Sequence, residues 1–398
     1  MVRGKFISLN TRGIGNYRKR RTIFTWLRKQ KPDVVFLQET HSTQGNEVSW
    51  QREWGATLIC SHGANNARGV AILIRNNFDC VIKESVIDAN GRFIILKVLL
   101  SGEPALLVNI YGPNRDKELV AFYHTVLQTI VNKNLDDIEN IIMGGDFNCP
   151  LNPVIDKRGG NQIPRKSVIN TIELLQSELD LHDIWQVKNP TKRSYTWSQS
   201  NPLIFSRLDY WLISNSLSDN ICHVDMISAI KTDHSAIVIE LQDVEDLVKG
   251  PGFWKLNCSL LNDKEYVNEL NLLLPTWLRQ GNRELSDPRS VWDWVKYNVK
   301  KYSRLYSMNK CKQRHLEEQH LNRQFQEATA AYQNCPSQEN LSALNVLKEK
   351  MEHLYEKKVE GIIIRSRARW HEHGEKNSKY FLDLEKRNHV RKDRKSVV

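Results

Sequence analysis

The chain has 398 residues, 40% of them hydrophobic and 26% charged, and carries a formal net charge of +11. That length accommodates two domains, and the balance is that of a globular protein rather than a disordered or fibrous one. Its seven cysteines form no C-x-x-C pair, which speaks against a zinc ribbon or a disulfide framework, and no run of about 18 apolar residues offers a membrane span. The first six residues lack a signal-peptide core, so an intracellular protein is expected. The charge is uneven: residues 249–398 hold 29 of the 57 Lys+Arg and 19 of the 46 Asp+Glu, a local excess of +10. Such a region suits a polyanion such as nucleic acid, or is a solvated, lysine-rich helical surface.

A first strand is expected over residues 6–10, ending in Asn10, with a turn at Thr11-Arg12-Gly13-Ile14-Gly15. Ile23, Phe24 and Leu27 share one face of a helix expected over 18–29. Its start, Arg18-Lys19-Arg20-Arg21, either touches phosphates or is simply exposed. Lys31-Pro32 stops that helix, and residues 33–39 follow as a strand ending in the carboxylate of Glu39. Further strands are expected over 69–74, 92–98 and 105–111, the last ending in Tyr111, with a helix over 119–132.

Ile141-Ile142-Met143 then end a buried strand, and Gly144-Gly145 let the backbone turn or approach a neighbour closely. Asp146 and Asn148, two apart, point to one face of an extended segment. A carboxylate beside a carboxamide there can activate a water and hold an anionic oxygen; the same letters also make an ordinary Asx turn. Cys149 reads as a plain small residue. A helix over 169–178 follows, and then two strands of one hairpin, 195–198 and 206–213, with a turn-rich tip at Gln199-Ser200-Asn201-Pro202. Asp233-His234 precede a last strand over 236–241.

Interleaved strands and helices with hairpin-compatible joins imply an α/β (α+β) fold, a four-layer α/β-sandwich of two mainly antiparallel sheets flanked by helices. A linker is expected at 249–252, separating residues 1–246 from a basic, mostly α-helical C-terminal extension over 247–398. Helices over 316–332 and 338–364 are expected there. Leu341, Leu344, Leu347 (or Lys348), Met351 and Leu354 form a stripe that suits a core-facing surface or an αα-hairpin better than a coiled coil.

Strand ends bearing acid and amide oxygens, Asn10 and Glu39 first among them, suit a hard cation such as Mg²⁺ better than zinc. Ser8-Leu9-Asn10, Leu37-Gln38-Glu39-Thr40, Asn109-Ile110-Tyr111-Gly112-Pro113, Gly145-Asp146-Phe147-Asn148, Ser206-Arg207-Leu208-Asp209-Tyr210 and Asp233-His234-Ser235 occur in this order. Together they resemble the endonuclease/exonuclease/phosphatase superfamily, with its DNase I-like fold, over about residues 5–241. Leu9-Asn10-Thr11-Arg12-Gly13-Ile14 and Tyr195-Thr196-Trp197-Ser198 resemble more narrowly the apurinic-type endonuclease domain of LINE-type non-LTR retrotransposons. The stretches around residues 252–257 and 368–381 resemble that family's connector towards reverse transcriptase; the pair His371 and His373 within it is too sparse for a metal site.

The resemblance implies an Mg²⁺-dependent endonuclease, with Mn²⁺ as an alternative, that nicks one strand of double-stranded DNA in the nucleus and leaves a 3′-hydroxyl. It implies that Glu39 holds the metal, with Asn10 at or just outside its shell, and that Asp146, Asn148 and Asp233 also face the metal. Asp146 orients and deprotonates the water, and Asn148 steadies phosphate oxygens and Asp146. Asp233 polarises His234, which contacts the scissile phosphate; Tyr111 donates to that phosphate; Asp209 supports the leaving group or a second metal position. Arg12, Thr196, Arg207 and Thr232 are the implied nucleic-acid contacts, with Arg193 beside them, and Thr232 stands where the pattern more often has Ser. The hairpin over 196–207 is expected to enter a groove and read shape and deformability. The basic C-terminal region is expected to bind element RNA or the target strand, and no membrane is involved. Alternatives on the same residues are a repair-type apurinic/apyrimidinic endonuclease or exonuclease III relative, and a phosphatase or lipid phosphodiesterase. A non-catalytic nucleic-acid-binding remnant is disfavoured by the intact acid and amide positions.

Overall fold

The computed structural model describes residues 4–64, 67–160, 165–241, 256 and 258–365. Its contacts divide these into two units. One takes in the described residues up to Leu241 together with those from Phe325 onward, and the other holds those within Glu245–Gln324. The expected linker and both connector stretches, with His371 and His373, fall outside the described residues, except Leu256.

The first unit opens with β1 (Gly4–Asn10), α1 (Tyr17–Lys29), β2 (Val34–Gln38), α2 (Gln44–Trp54), β3 (Thr57–Ser61) and β4 (Val70–Ile74). Next come β5 (Cys80–Ile87), β6 (Phe93–Leu100), β7 (Glu103–Tyr111), α3 (Asp116–Asn132), β8 (Asn140–Asp146), α4 (Pro153–Asp156) and β9 (Lys157–Arg158). α5 (Lys166–Glu178), β10 (Leu181–Asp183), α6 (Ile184–Lys188), β11 (Trp197–Ser200), β12 (Leu203–Ser206), β13 (Asp209–Ser214), α7 (Asn215–Ser218), β14 (Ile221–Ile227) and β15 (Ala236–Leu241) follow. One sheet has the order β14-β15-β1-β2-β4-β3 and the other β10-β13-β8-β7-β6-β5. Only β1–β2 and β7–β8 run parallel in them, so the expected two mainly antiparallel sheets are present.

Alternation along the strands sends one set of side chains between the sheets and the other set under the helices. Phe6, Phe36, Ile72, Leu96, Leu107, Ile142 and Trp211 fill the first space. Ile95, Val108, Met143 and Leu212 face Tyr123 and Val126 of α3 and Ile172 and Leu175 of α5 in the second. The helix expected over 18–29 is present as α1, with Asn16 capping it through bonds from the Arg18 and Lys19 amides. Arg20 and Arg21 follow neither reading of the basic start. Both are buried, Arg20 Nε lies 2.8 Å from the buried carboxylate of Glu53, and its guanidinium stacks on Trp50.

The hairpin differs from expectation. It pairs β11 with β12, in a three-stranded sheet with β9, and its second strand stops at Ser206. Residues 209–214 form β13 and join the larger sheet instead. The switch has a cause: Arg207 N donates to Asp156 O, and the Leu208 and Asp209 amides donate to Thr196 Oγ1, so the ladder partners are replaced one residue after Ser206.

After a 3₁₀ turn (Cys258–Asn262), α8 (Lys264–Glu284) and the start of α9 (Pro288–Asn334) build the second unit. Tyr266 is buried there, bonded to Ser303 and packed on the rings of Tyr302 and Tyr306. The helix expected over 316–332 is only the last part of the 47-residue α9. From Phe325 the chain belongs to the first unit, where α10 (Gln338–Arg365) follows. Leu341 and Leu344 pack on Tyr195, Phe205 and Tyr332, which makes the leucine stripe core-facing. Among the described residues no helix is long and apolar enough to cross a membrane.

Candidate active site

The ends of the strands bring the scattered polar residues to one edge of the sandwich. In the parallel pair β1–β2, Asn10 lies opposite Gln38, so Asn10 and Glu39 finish side by side. In the second sheet Asp146 pairs with Tyr111 on one flank and with Asp209 on the other. The Thr232-Asp233-His234 loop closes the edge just before β15. Below it a buried network ties the sheets together: Gln38 Nε2 donates to Ser8 Oγ and to Asn109 Oδ1, and Asn109 Nδ2 donates to Leu37 O and Ala71 O. Three motif residues, Ser8, Gln38 and Asn109, are therefore tied together inside the protein and support the site from beneath, although Gln38 Oε1 has no hydrogen-bond partner.

The amide of Asn10 bridges two carboxylates. Its Nδ2 donates to Asp146 Oδ2 at 2.9 Å and to Glu39 Oε1 at 3.3 Å, while its Oδ1 accepts from Arg12 N. Asn10 thus positions Glu39 and Asp146 relative to each other. The hydroxyl of Tyr111, the residue expected at the phosphate, donates to Glu39 Oε1 at 2.6 Å and orients that carboxylate. Glu39 itself has φ +48°. A non-glycine residue in that region is strained and persists where its surroundings over-determine it, commonly at functional sites.

Asp146 Oδ1 accepts from the Asn148 amide, which has φ +51°, and Asn148 Nδ2 donates to Gly112 O at 2.7 Å. The Asx turn is present, and Asp146, which caps it, also faces the cavity. Cys149 is buried, and burial pushes its thiol up to about 12, which leaves it inert.

Asp209, not Asp233, is the partner of His234. Asp209 Oδ2 lies 2.8 Å from His234 Nδ1, whereas Asp233 turns outward to Arg12 Nη1 at 3.1 Å. The expected roles of the two carboxylates are thereby corrected: Asp209 sits across the sheet edge from the histidine, while the neighbour in sequence points away along the loop. His234 Nε2 lies 4.0 Å from Asp146 Oδ2. Burial opposes the charge on the imidazole, but Asp209, then Asp146 and Asp233, outweigh it and raise its pKa. Burial, then the charge of Asp209, raises the Asp146 carboxyl. Asp146, Asp209 and His234 place ligand atoms within 4.8 Å of one another. Nδ1 is engaged by Asp209, and the surrounding carboxylates favour the charged ring, an arrangement that suits an acid–histidine pair better than a zinc centre.

These groups open into a cavity of about 380 Å³ lined by Arg12, Glu39, Asp146, Asn148, Asp233 and His234, and also by Lys157, Arg165 and Trp197. Lys157 and Arg165 are additions to the expected site; basic residues in the short β9 and just ahead of α5 give no sequence signal of where they point. The donor set fits a hard divalent cation. Glu39 and Asp146 bring oxygens and negative charge together, and Asp209 Oδ1 is a buried acceptor with no hydrogen-bond partner. Glu39 and Asp146 are the residues that would hold it.

Three of the four expected nucleic-acid contacts are buried and engaged within the fold. Arg207 is 1% exposed; it makes two bonds to Asp156 (2.7 and 3.1 Å), lies 2.6 Å from Asp183 and stacks on Tyr210. It holds the turn between β12 and β13 and presents nothing to a phosphate. Thr196 is equally buried, its hydroxyl accepting from Leu208 N and Asp209 N. Thr232 Oγ1 donates to Asn10 O at 2.8 Å. Arg12 alone of the four reaches the cavity with an exposed side chain.

A model of the Endonuclease/Exonuclease/phosphatase family matches residues 7–234. Over 389 residues the sequence is 26% identical to the Transposon TX1 uncharacterized 149 kDa protein of Xenopus laevis, covering 97% of this chain and 29% of that protein. Over 179 residues it is 28% identical to DNA-(apurinic or apyrimidinic site) endonuclease 2 of Schizosaccharomyces pombe, covering 39% of this chain and 33% of the relative. The chain thus spans a third or less of the length of these curated relatives. Among solved structures, the AP endonuclease LMAP of Leishmania major shares the fold, with a TM-score of 0.52 at 17% identity, covering 61% of this chain and 89% of that one.

Proposed function

We propose that this chain, which belongs to the Endonuclease/Exonuclease/phosphatase family, is a divalent-cation-dependent endonuclease that nicks one strand of double-stranded DNA and leaves a 3′-hydroxyl. One observation carries the reading: Glu39, Asp146 and His234 line a single cavity, and buried Asn10 and Asp209 bond to them from behind, Asn10 to both acids and Asp209 to His234. Glu39 and Asp146 would hold a cation such as Mg²⁺, which would neutralise the phosphate and charge developing on the leaving oxygen.

The chain's own residues do the rest. Asp146, its carboxyl raised by burial, orients the attacking water and takes its proton. The imidazolium of His234, fixed by Asp209, donates from Nε2 to a phosphate oxygen in the transition state. Asn10 and Tyr111 hold the two acids in place, and Asn148 holds the backbone turn after Asp146. Arg12, Lys157 and Arg165 line the cavity as cations for the flanking phosphates.

The similarity along 97% of the chain to a transposon protein supports target-site nicking in the nucleus, where the 3′-hydroxyl primes DNA synthesis. Binding of element RNA by the basic C-terminal region has no support. The test is nicking of supercoiled plasmid with Mg²⁺ or with EDTA, wild type beside Asp146→Ala. Open circles that need Mg²⁺ and vanish in the variant are expected; a folded, DNA-binding wild type that never nicks overturns the proposal. The resemblance to apurinic/apyrimidinic endonuclease 2 favours one second reading, cleavage at abasic sites. Faster cutting of an abasic duplex than of an intact one would select it.

A further inference from the structure

The loop that carries Asp233 and His234 is gripped from two directions. From the sheets, Thr232 Oγ1 donates to Asn10 O at 2.8 Å and Ser235 N donates to Thr196 O at 2.7 Å. From α10, Lys348 Nζ donates to Thr232 O at 2.7 Å. Glu352 accepts from both the backbone N–H (3.1 Å) and the ammonium (2.9 Å) of Lys231, and Glu356 lies 3.0 Å from the same ammonium. Lys231 has φ +61°. A lysine adopts that left-handed backbone where its surroundings impose it, and the double grip of Glu352 does so.

The end of α9 holds the adjoining wall. Thr329 bonds Ser228, Gln333 Nε2 donates to Tyr195 O, and the Arg158 guanidinium donates to the last carbonyls of α9, Gln333 O and Asn334 O. Tyr332 meets the ring of Phe205 edge-on at 5.3 Å. The C-terminal helices therefore touch the His234 loop, the β11–β12 hairpin and β9.

We infer that Lys348 and Glu352 are positioning residues for His234, so that the C-terminal helical hairpin is a working part of the active site. The inference rests on the nuclease reading above. Neither side chain lines the cavity that holds Glu39 and Asp146; Lys348 lines an adjoining hollow with Thr232, Asp233 and His234, and its bond to Thr232 O, like Glu352's bonds to Lys231, acts through the loop. Removing Lys348 strips the donor from Thr232 O; removing the charge of Glu352 frees Lys231 to leave its left-handed conformation. Either change lets the imidazole drift from Asp209 and from the phosphate, and a displacement of about 1 Å in such a site can cost up to ~10²-fold in rate.

The test is single-turnover nicking of DNA bound beforehand by the full chain. Wild type, Lys348→Met, Lys348→Arg and Glu352→Gln are compared, each with a thermal melt and DNA affinity measured against salt. Lys348→Met and Glu352→Gln should cut ~10- to 100-fold more slowly with wild-type affinity and salt slope, and Lys348→Arg should recover most of the rate. The ¹H and ¹⁵N signals of the His234 ring, read without substrate, should move in both slow variants. Wild-type bound-state rates in both folded variants overturn the inference, as do unmoved His234 signals. So does a loss confined to affinity, with the salt slope of Lys348→Met lowered by about one ion, because that outcome makes Lys348 a phosphate contact. A wild type that binds DNA without cutting defeats the nuclease reading instead, and the His234 signals still decide the positioning role.

Discussion

His234 has three carboxylates near it, Asp209, Asp146 and Asp233, and bonds only Asp209. With Asp209 at 2.8 Å from Nδ1, the ring is held charged and oriented, while Asp233 spends its charge on Arg12. Asp209→Asn should therefore lower the nicking rate by about 10²-fold, the range of a positioned acid or base, and Asp233→Asn by less than about 10-fold. Steady-state nicking of the two variants side by side checks the order; the reverse order would restore Asp233 as the partner. Arg207 is a second case in which burial decides. Its guanidinium compensates Asp156 and Asp183, so Arg207→Met leaves two buried carboxylates without their cation. That should cost roughly 3–5 kcal/mol of stability, read as a lower denaturation midpoint. The salt slope of DNA binding should stay unchanged in the folded fraction; a reduced slope would mean that Arg207 does reach phosphate. The residues of this site were legible in the sequence, because strand-end acids, amides and the Asp-His pair stand out there. Their partners were not, because a hydrogen bond such as Asp209–His234 spans 25 residues and depends on which strands lie side by side.

The element that sets the acid in place is β8, and its two glycines allow close approach rather than a turn. A Cβ on Gly144 would stand 2.4 Å from the ring of Trp211; on Gly145 it would stand 2.0 Å from Ile110 O, at a backbone φ of +141°. Gly145→Ala has only backbone to push against, so it should destabilise more than Gly144→Ala, for which overpacking of about 1–3 kcal/mol is typical. Urea denaturation of both variants checks the ranking, and equal midpoints would show that the strands can part without cost. Strong apolar runs made β1, β2, β4, β6, β7 and β8 readable. Polar strands such as β5, whose burial alternates between partial and exposed, and β14 were missed, since an edge strand is stabilised by its ladder more than by an apolar pattern. The hairpin was placed in the right stretch and given the wrong second strand. Its end is decided by Thr196 and Asp156 capturing three amides, which no local pattern announces.

At the scale of the whole molecule, the negative charge gathered at the sheet edge should make the folded chain bind a divalent cation even without DNA. Adding Mg²⁺ should raise the melting temperature, since a ligand of the native state stabilises by mass action, and Glu39→Gln should shrink that rise. An identical rise in the variant would place the cation elsewhere. The sequence by itself determined the sandwich and the edge where its chemistry gathers, because apolar strands must be buried and their polar ends cannot be. It also marked the change to helices after the last strand and the unequal charge of the two parts. Only the tertiary structure decided that Asp209 serves His234, that Arg207 and Thr196 belong to the frame, and that the chain from Phe325 onward folds back onto the first unit. The physical reason is common to all three. Each depends on contacts between residues far apart in the chain, made where packing brings charges and carbonyls within about 3 Å, and local propensity carries no information about those distances.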